Sequence, residues 1–504
     1  MVSKIVVVAL YAILVVAIGI IGLRKTKSFK DFFLAGGNVG PWLSAFSYGT
    51  AYFSAVMFIG FAGKVGWGFG YSGLWITFGN AFIGVLAVWA LMGWRIKKMS
   101  QEYGVSTMSE FMEKRYNSKF LKLVGVLVIF IFMIPYSAAV FMGLSYLFEV
   151  SFNIDYWLAL TIMGVFTATY IILGGYKSMA MIDVIFGMIM VVSVTILVIF
   201  TINNGGGLAN ITQTLRDINP KLTAPVGPPG FFPLFALVFL TAVAPFALPQ
   251  LVQKFYAIRD RKSVRIGMIA STFFALLISF VGFFVGSTTR VFISPENPDQ
   301  QHLFNFTETG AAVPNFDKLM PEVLTNMLPG SLSVIILILI LAASMSTLAA
   351  LVLISSSAIA KDFYAGFINK NASDKSLTRL MRIMSGVFVF LAVLLALVEF
   401  DVIVEILGVS WGAIGAFFLG PFVWGLFSKK ITRTAAITSS LLGLATCLTL
   451  YFIGQNQPPG TMLSWYYGSP GAGTIGMITS LVLAPIVSLP AFFKMGKNVE
   501  TNID

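Results

Sequence analysis

Long apolar runs recur along almost the whole chain, and they restrict its fold more than any other feature. Thirteen such runs can be marked, most of them about 20 residues or longer, the length an α-helix needs to cross a bilayer. Hydrophobic residues make up 57% of the chain and charged residues 11%, more apolar surface than a water-soluble core could bury. An all-α polytopic membrane protein is therefore predicted. The spans are 4–23, 40–65, 71–95, 120–148, 156–175, 182–203, 232–252, 265–287, 331–357, 380–399, 405–427, 434–455 and 473–494.

The scarcest residue types exclude several classes of function. One cysteine, Cys447, can form neither an internal disulfide nor a cysteine-based metal site, and the one histidine, His302, falls in a polar loop. The sequence contains no P-loop motif and lacks the clustered His, Asp or Cys residues that a membrane-embedded enzyme would use. We therefore expect neither an ATP-driven motor nor an enzyme.

Positive charges are distributed unevenly between alternate loops, which predicts the orientation of the chain. The basic residues after the first span reverse the charge order of a signal peptide, so this span is expected to be retained, with its N-terminus outside. The positive-inside rule then places the C-terminus in the cytoplasm. The formal charge of +12 thus has a topological origin and implies no nucleic-acid partner. The predicted cytoplasmic side holds most of the basic residues, among them Arg24, Lys97, Lys254, Arg259, Lys361 and Lys430, whereas the opposite side holds Lys4, Lys64, Arg216, Lys221, Arg290 and Lys318.

Two spans contain residues that interrupt a membrane helix. The second, GPWLSAFSYGTAYFSAVMFIGFAGKVGWGFG, is polar and glycine-rich, and the seventh, PLFALVFLTAVAPFALPQ, has Pro245 and Pro249 beyond its first turn. Both are predicted to be broken, although simple packing kinks are the alternative. Because they lie five spans apart they cross in opposite directions, which is typical of a secondary transporter with an inverted repeat. The predicted units are 1–38 (peripheral helix and cytoplasmic loop), 39–203 (first repeat), 232–427 (second repeat), 434–494 (two peripheral spans) and 495–504 (cytoplasmic tail).

The ninth span carries three hydroxyls at its centre, in the stretch LAASMSTLAA. Ala343, Ser346 and Thr347 have the spacing i, i+3, i+4 and share one helix face, with Ser344 turned away. Two hydroxyls and a backbone carbonyl are neutral hard ligands that suit a small alkali cation, and carbonyls freed at the break in span two could complete the shell. The alternative is that these hydroxyls bond only to their own helix. We favour a site for such a cation on the face of Ala343, Ser346 and Thr347, with the freed carbonyls coming from around Thr50 and Phe53.

The chain resembles the sodium:solute symporter family, which includes bacterial carriers of proline, pantothenate, sialic acid and sugars. The resemblance covers nearly the whole length and is strongest in FFLAGGNVGPWLSAFSYGTAYFSA, GGYKSMAMIDVIFG, LAASMSTLAALVLISSSAIAKDFY and ILGVSWGAIGAFFLGPFVWGLFSKK; TLRDINPKLTAPVGP is similar to a loop of pantothenate carriers. It implies a LeuT-type fold of five plus five helices and a sodium site at the same five positions. Some relatives bind a second sodium with an acid and two more hydroxyls. Asp183 matches the acid, but Ala349 and Ala350 stand at the hydroxyl positions, so one sodium per solute is expected.

A solute pocket is expected between the two breaks, on spans two, four, seven and eleven, although its aromatic residues could equally be core packing. Proline carriers typically have aromatics on span seven where this chain has Thr241 and Pro245, and an aspartate near Tyr52. Sugar carriers use several Glu, Asn and Gln residues, of which these spans offer few beyond Asn80. A small, partly apolar anion or zwitterion is therefore predicted. The candidate residues are Tyr52, Ser54, Ala55, Tyr136, Thr241, Pro245 and Trp411.

Charged residues near the span boundaries receive weaker assignments. Asp183, near the cytoplasmic start of span six, is a candidate ion-exit residue, while a solvated helix start is equally consistent with its position. The acids at the outer boundary of spans ten and eleven, Glu399, Asp401 and Glu405, are expected to be solvated, and Lys64 is assigned no role.

Together these features predict a sodium-coupled symporter that imports a small organic solute, such as proline, pantothenate or a monocarboxylate, by alternating access. It is expected in the cell membrane of a prokaryote, with Na⁺, the solute and lipid as its partners and no obligatory protein partner. An ion channel is one alternative, although it needs no pair of broken helices. A transporter-like sensor is another, although it would normally carry a signalling domain after residue 494. The outer segments 204–231 and 288–330, rich in Pro, Gly, Asn and Asp, are expected to be loops.

Overall fold

Long helices form almost the whole structure, a computed structural model that describes residues 2–25, 28–307, 312–326, 330–457 and 462–500. The principal helices are Val2–Lys25, Pro41–Tyr52, Val56–Phe61, Ala62–Phe69, Leu74–Phe78, Gly79–Ala87, Trp89–Gly93, Trp94–Tyr103, Lys119–Phe152, Tyr156–Asn204, Phe231–Val243, Pro249–Ala257, Arg261–Ser287, Gly330–Ser357, Ala358–Ile368, Asp374–Val398, Ile403–Phe427, Arg433–Gln455 and Ser469–Glu500. Shorter helices and turns are Phe29–Leu34, Ala35–Gly37, Gly70–Gly73, Met108–Tyr116, Leu208–Ile218, Pro220–Thr223, Ala244–Phe246, Thr289–Phe292, Pro298–Leu303, Phe316–Asn326 and Met462–Tyr467. The strands Phe304–Phe306 and Ala312–Pro314 pair in antiparallel fashion.

Within the described residues, twelve helices are long and apolar enough to cross a membrane. One of them, Val56–Tyr103, has 48 residues, about twice the length that a crossing requires. It contains the non-helical Gly70 (φ 56°, ψ −136°), and the 12-residue helix Pro41–Tyr52 before it is too short to span alone. The prediction of two spans in this region, and of thirteen in all, therefore stays a prediction.

The two segments expected to be loops contain regular structure, so that prediction was partly wrong. Leu208–Ile218 buries Ile211 and Leu215, which lie one turn apart, against Leu222. In the second segment, Phe316–Asn326 buries Leu319, Met320, Pro321, Val323 and Leu324, and the two paired strands precede it. In the first segment Gly205, Gly206, Gly207 and Gly230 lie outside the helix, whereas in the second Pro321 lies inside Phe316–Asn326.

The helices differ in how deeply they lie in the bundle. In the most apolar stretches of Leu332–Ile368 and Ile403–Phe427, 83% and 89% of residues are buried, against 28% for both Val2–Gly22 and Arg433–Gln455. Ser346 and Thr347 thus lie on one of the two most enclosed helices. Hydroxyls at such a position can contact other helices but not lipid or bulk water.

The first broken helix, residues 41–69, is interrupted where the sequence predicts it. Pro41–Tyr52 ends in Phe53, whose backbone is extended (φ −107°, ψ 121°), and helical structure resumes at Val56. The Ser344 hydroxyl accepts a hydrogen bond from the Ala55 amide (3.3 Å). The sequence assigned Ser344 no part in the cluster, yet its hydroxyl meets the same break and satisfies a backbone donor left free there.

The second broken helix, residues 231–257, is also confirmed. Phe231–Val243 passes into a tight turn at Ala244–Phe246, Leu248 is extended (φ −83°, ψ 116°), and Pro249–Ala257 follows. Pro245 lies in the first turn of Ala244–Phe246, and Pro249 lies in the first turn of Pro249–Ala257. At such positions the missing N–H costs no hydrogen bond. The prolines therefore mark where this helix stops and restarts.

The ends of the two broken helices meet at one end of the bundle, here called the basic face because Lys97, Arg115, Arg259 and Lys361 lie there. The Val39 amide donates to Ala257 O (2.9 Å), and the Arg259 amide donates to Val39 O (3.1 Å). Lys97, which is buried, donates to Gly37 O (3.2 Å) and Tyr256 O (3.1 Å). These bonds hold the basic face closed between the two broken helices.

At the opposite face an ion pair joins the first broken helix to Ile403–Phe427. Lys64 Nζ lies 2.6 Å from Glu405 Oε1, and Ser469 donates to the other carboxylate oxygen (2.6 Å). The prediction of a solvated Glu405 was therefore wrong, because Ser469 and Lys64 both contact its carboxylate, and Lys64, to which the sequence assigned no role, is its ion-pair partner. Nearby Asp317 accepts from the Ile403 amide (2.9 Å), and burial raises the pKa of this carboxyl to about 7.

Close packing of the first broken helix gives a prediction for stability. A Cβ atom at Gly66 would overlap the Gly286 carbonyl group, whereas one at Gly68 would meet nothing within 4 Å. We expect Gly66→Ala to destabilise the protein by about 1–3 kcal/mol through overpacking. Gly68→Ala should be neutral or stabilising, because alanine favours a helix by about 1 kcal/mol over glycine. Melting of the detergent-purified variants measures both, and equal melting temperatures would contradict this packing.

Candidate functional site

Ser346 links three helices at the centre of the bundle. Its hydroxyl donates to Asp183 Oδ1 (2.6 Å), in the part of Tyr156–Asn204 that follows the non-helical Gly175 (φ 66°, ψ −174°), and lies 2.9 Å from Thr50 Oγ1 on the first broken helix. Thr50 in turn donates to Phe46 O (2.7 Å). Ser346, Thr50 and Asp183 are all buried, so every oxygen in this group is shielded from bulk water.

Thr347 brings backbone carbonyls to the same place. Its hydroxyl donates to Ala343 O (3.1 Å) and lies 3.3 Å from both Thr50 O and Ala51 O. The two carbonyls of the first broken helix belong to its last turn before the break, where the continuing helix would normally supply amide donors. The structure thus brings Thr50, Ala343, Ser346 and Thr347 together as the sequence predicts, and it adds Ala51 O. Phe53 forms the break itself.

The cluster contains more oxygen acceptors than protons. Ser346 and Thr347 each contribute one proton, while the Thr50 proton is directed at Phe46 O. Against these protons, the cluster contains three backbone carbonyl oxygens, three hydroxyl oxygens and a carboxylate, all close together in a buried volume. A small hard cation is the partner that such a donor-poor set of oxygens accommodates best.

Asp183 is fully buried, so the alternative of a solvated helix start was wrong. One carboxylate oxygen accepts from Ser346, whereas Oδ2 is buried without a hydrogen-bond partner. Ala349 and Ala350, one turn further along the helix of Ser346, are buried and offer no side-chain oxygen. The acid therefore lies beside the oxygen cluster, and neither Ala349 nor Ala350 adds a side-chain oxygen there.

A small cavity of about 30 Å³ lies next to the break in the first broken helix. Five of the seven predicted solute residues line it, together with residues that the sequence did not single out. A water molecule needs about 10–15 Å³ of such cavity volume, so the cavity as it stands has room for about two waters. Its walls are Tyr52, Phe53, Ser54, Val56, Met57, Phe61, Asn80, Tyr136, Thr241, Phe283, Leu407 and Trp411.

The polar groups of the cavity are all uncharged. The Tyr52 hydroxyl donates to Thr241 O (2.6 Å) and lies 3.1 Å from the Asn80 side-chain oxygen. Trp411 stacks on Tyr52, with ring centroids 6.0 Å apart, and meets Tyr136 edge to face at 5.7 Å. Its indole N–H is buried beside Tyr136 and forms no well-aligned hydrogen bond within the described part of the chain. The cavity can therefore offer neutral hydrogen-bond donors and aromatic faces to a ligand.

Ala55 and Pro245 do not line this cavity. Ala55 is buried, and its amide is bonded to Ser344, while Pro245 lies in the turn of the second broken helix. Both residues sit at a break, where helical periodicity no longer predicts the direction of a side chain. Among the residues missed, Asn80 is polar and buried in an otherwise apolar helix, a signal that could have placed it in the cavity.

The chain is similar in sequence to proline transporters over nearly its full length. It is 26% identical over 498 residues to the osmoregulated proline transporter of Bacillus subtilis (strain 168), which covers 96% of this chain and 94% of that protein. A sodium/proline symporter of Staphylococcus aureus (strain bovine RF122 / ET3-1) is 25% identical over 514 residues, covering 99% of this chain and 94% of that protein.

Solved structures share the fold. A Na⁺-coupled sialic acid symporter in a substrate-bound outward-open state has a TM-score of 0.76 at 18% identity, covering 96% of this chain and 97% of that one. A nucleobase-cation-symport-1 family transporter in a closed conformation has a TM-score of 0.53 at 11% identity, covering 93% and 95%. These likenesses confirm a helical membrane protein with a LeuT-like fold.

The predicted family resemblance is confirmed by a match to a family model. Residues 32–443 match the sodium:solute symporter family, and they include both broken helices, Asp183 and the oxygen cluster around Ser346 and Thr347. The relatives named above are transporters and not enzymes. This chain therefore belongs to the sodium:solute symporter family.

Proposed function

We propose that this protein is a sodium-coupled symporter that carries a small organic carboxylate or zwitterion into the cell by alternating access. The observation that carries the proposal is the donor-poor oxygen cluster of Thr50, Ala51, Ala343, Ser346 and Thr347, beside a break in a membrane helix. Sodium is cargo here, and its binding would replace the weak mutual contacts of these oxygens with ion–oxygen contacts.

The short distance along the chain between the two sites supports coupling. Thr50 and Ala51 supply carbonyls to the oxygen cluster, and Tyr52, Phe53 and Ser54 immediately after them line the cavity. A sodium ion that orders the last turn before the break would therefore also order one wall of the cavity. Each ligand then binds more tightly when the other is present, which is the reciprocity that coupled transport requires.

The cavity favours a small solute with a carbonyl or carboxylate group. Among the described residues that line it none is charged, so an anionic group would be met by neutral donors such as the Trp411 indole N–H. With room for about two waters, the cavity must widen even for a molecule the size of proline. Relatives that carry proline make proline the first solute to test, followed by monocarboxylates and then pantothenate.

A stability screen of the purified protein tests the proposed function. The protein in detergent would be heated with each candidate solute in sodium chloride and, as the control, in potassium chloride at equal ionic strength. We expect sodium alone to raise the melting temperature, and one solute to raise it further only when sodium is present. A solute that stabilises the protein equally in potassium would contradict sodium coupling, and sodium flux through vesicles without any solute would indicate a channel.

We further propose that the basic face is cytoplasmic, with the N-terminus outside, in a prokaryotic cell membrane. The excess of Lys and Arg at this face supports the orientation. Cysteines introduced at Ala209 and Asn371, both exposed, test it in a Cys447→Ala background. We expect an impermeant thiol reagent to label Ala209→Cys in intact cells, and Asn371→Cys only after lysis. The reverse pattern would overturn the proposed orientation.

A further inference from the structure

Lys254 is a buried cation close to the oxygen cluster, and the features described so far give it no role. It lies on Pro249–Ala257, the second half of the second broken helix, and only 1% of its surface is exposed. Its ammonium donates to Ser47 Oγ (2.9 Å) and lies 4.9 Å from the centre of the Tyr176 ring and 4.0 Å from Met179 Sδ. It forms no ion pair with any carboxylate in the described part of the chain.

Lys254 lies beside the same two helices that build the ion site. Ser47 and Thr50 are three residues apart on the first broken helix, and Thr50 contacts Ser346. On the other helix, Tyr176, Met179 and Asp183 have the spacing i, i+3, i+7 and therefore share a face. The Lys254 ammonium and Asp183 are thus close enough for their charges to interact, and Ser47 contacts both.

The buried acid and the buried base each lack a full partner. Asp183 Oδ2 has no hydrogen bond, and the Lys254 ammonium is held by one hydroxyl, an aromatic ring and a sulfur atom. A buried charge is costly unless it is paired, so both groups favour an arrangement in which each meets an opposite charge. Lysine can provide this by moving, because its ammonium is a point charge on a flexible four-carbon stem.

We propose that Lys254 is a tethered counter-cation that competes with sodium for Asp183. This rests on the proposed function. When sodium occupies the oxygen cluster, the ion neutralises Asp183 through space, and Lys254 stays against Ser47 and Tyr176. When sodium leaves, the Lys254 ammonium moves toward the unpartnered Asp183 oxygen and replaces the lost positive charge.

The position of Lys254 would couple this exchange to opening of the basic face. Its helix ends at Ala257, which is bonded to Val39, and the neighbouring Tyr256 carbonyl is bonded to Lys97. When these bonds break, the half-helix moves and carries Lys254 with it. Sodium release toward the basic face and arrival of the replacing charge then belong to one movement.

Binding of ²²Na⁺ to the purified full-length protein, without solute, tests the proposal. A competing internal cation weakens sodium binding. Lys254→Gln should therefore bind sodium about tenfold more tightly than wild type. A nearby charge changes the affinity for a second charge by at least about that factor. Lys254→Arg keeps the charge and should stay within about twofold of wild type. In an Asp183→Asn background, Lys254→Gln should no longer tighten binding. A gain of affinity that disappears with Asp183 is not what a merely structural role would produce.

The outcomes separate the two proposals. No sodium binding by the wild-type protein would overturn the proposed function itself. Wild-type binding with equal or weaker binding by Lys254→Gln would overturn the role of Lys254 alone. If Lys254→Gln does not purify as a folded protein, Lys254→Met keeps the apolar stem against Tyr176 and Met179, and it carries the same expectation of tighter binding.

Discussion

Ser346→Ala and Thr347→Ala are each expected to raise the sodium concentration for half-maximal solute uptake by about 10- to 100-fold. Each substitution removes one hydroxyl oxygen from the cluster around Thr50 and Ala343. A polar contact to a charged group contributes about 1.5–3 kcal/mol, and about 1.4 kcal/mol corresponds to a factor of ten in affinity. Uptake measured over a range of sodium concentrations at constant ionic strength gives the shift directly.

Ser357→Ala is the matched control for both substitutions. Ser357 is buried near the end of the same helix, and its hydroxyl donates to Ile354 O within that helix. Its replacement should leave the half-saturating sodium concentration within about twofold of wild type, because no ion–oxygen contact is lost. If Ser346→Ala and Thr347→Ala also stayed within that range, the oxygen cluster would not be the sodium site.

The second large effect concerns the number of sodium ions moved with each solute. With alanine at positions 349 and 350, we expect one ion. One charge moving through about 100 mV releases about 2.3 kcal/mol, and a tenfold sodium gradient adds about 1.4 kcal/mol. The sum supports accumulation of a neutral or zwitterionic solute by roughly several hundredfold, whereas two ions would support roughly 10⁵-fold.

Vesicles with defined sodium, solute and potassium gradients distinguish these cases. The solute gradient at which net flux reverses gives the number of ions, and setting the membrane potential to zero should reduce a one-ion limit to about tenfold. A reversal point that demands two sodium ions would contradict the one-ion prediction. It would also indicate that Asp183 and its unpartnered Oδ2 find other partners for a second ion.

The sequence predicted the helical architecture and the shared face of Ala343, Ser346 and Thr347 well, because both depend on spacing along a helix, whereas sodium binding there stays a prediction. The i, i+3, i+4 arrangement of Ala343, Ser346 and Thr347 fixes one face whatever the helix packs against. The prolines at 245 and 249 likewise act locally on the backbone, and the second helix is broken where they stand. Features determined by a few neighbouring residues are therefore predictable from the amino-acid sequence alone.

Apart from the approach of Thr50 to Ser346, which are 296 positions apart, the sequence did not predict contacts that join distant parts of the chain. The pairing of Lys64 with Glu405 spans 341 positions, and each residue alone resembles a solvated helix end. Lys254 was counted only as one of the basic residues of a loop, although it is buried against Ser47. Charge patterns reveal on which side of the membrane a residue lies, but not which partner shields it.

The direction of side chains at the breaks was the other limit. Ala55 and Pro245 were expected in the solute pocket, yet neither lines the cavity. Where the helix stops, the backbone angles of one or two residues, such as the extended Phe53, decide which side chains turn inward. Those angles are set by tertiary contacts such as the Ser344 hydroxyl bonded to the Ala55 amide, which spans 289 positions.

Solute-dependent entry of ²²Na⁺ into vesicles containing only the purified protein tests sodium-coupled symport most directly. L-Proline, or whichever solute stabilises the protein in the sodium-dependent screen, would be added outside at zero membrane potential with an inward sodium gradient. We predict that ²²Na⁺ and solute enter together at equal initial rates, and that potassium in place of sodium abolishes solute entry. Sodium entry that is independent of solute, or solute entry at an unchanged rate in potassium, would contradict symport.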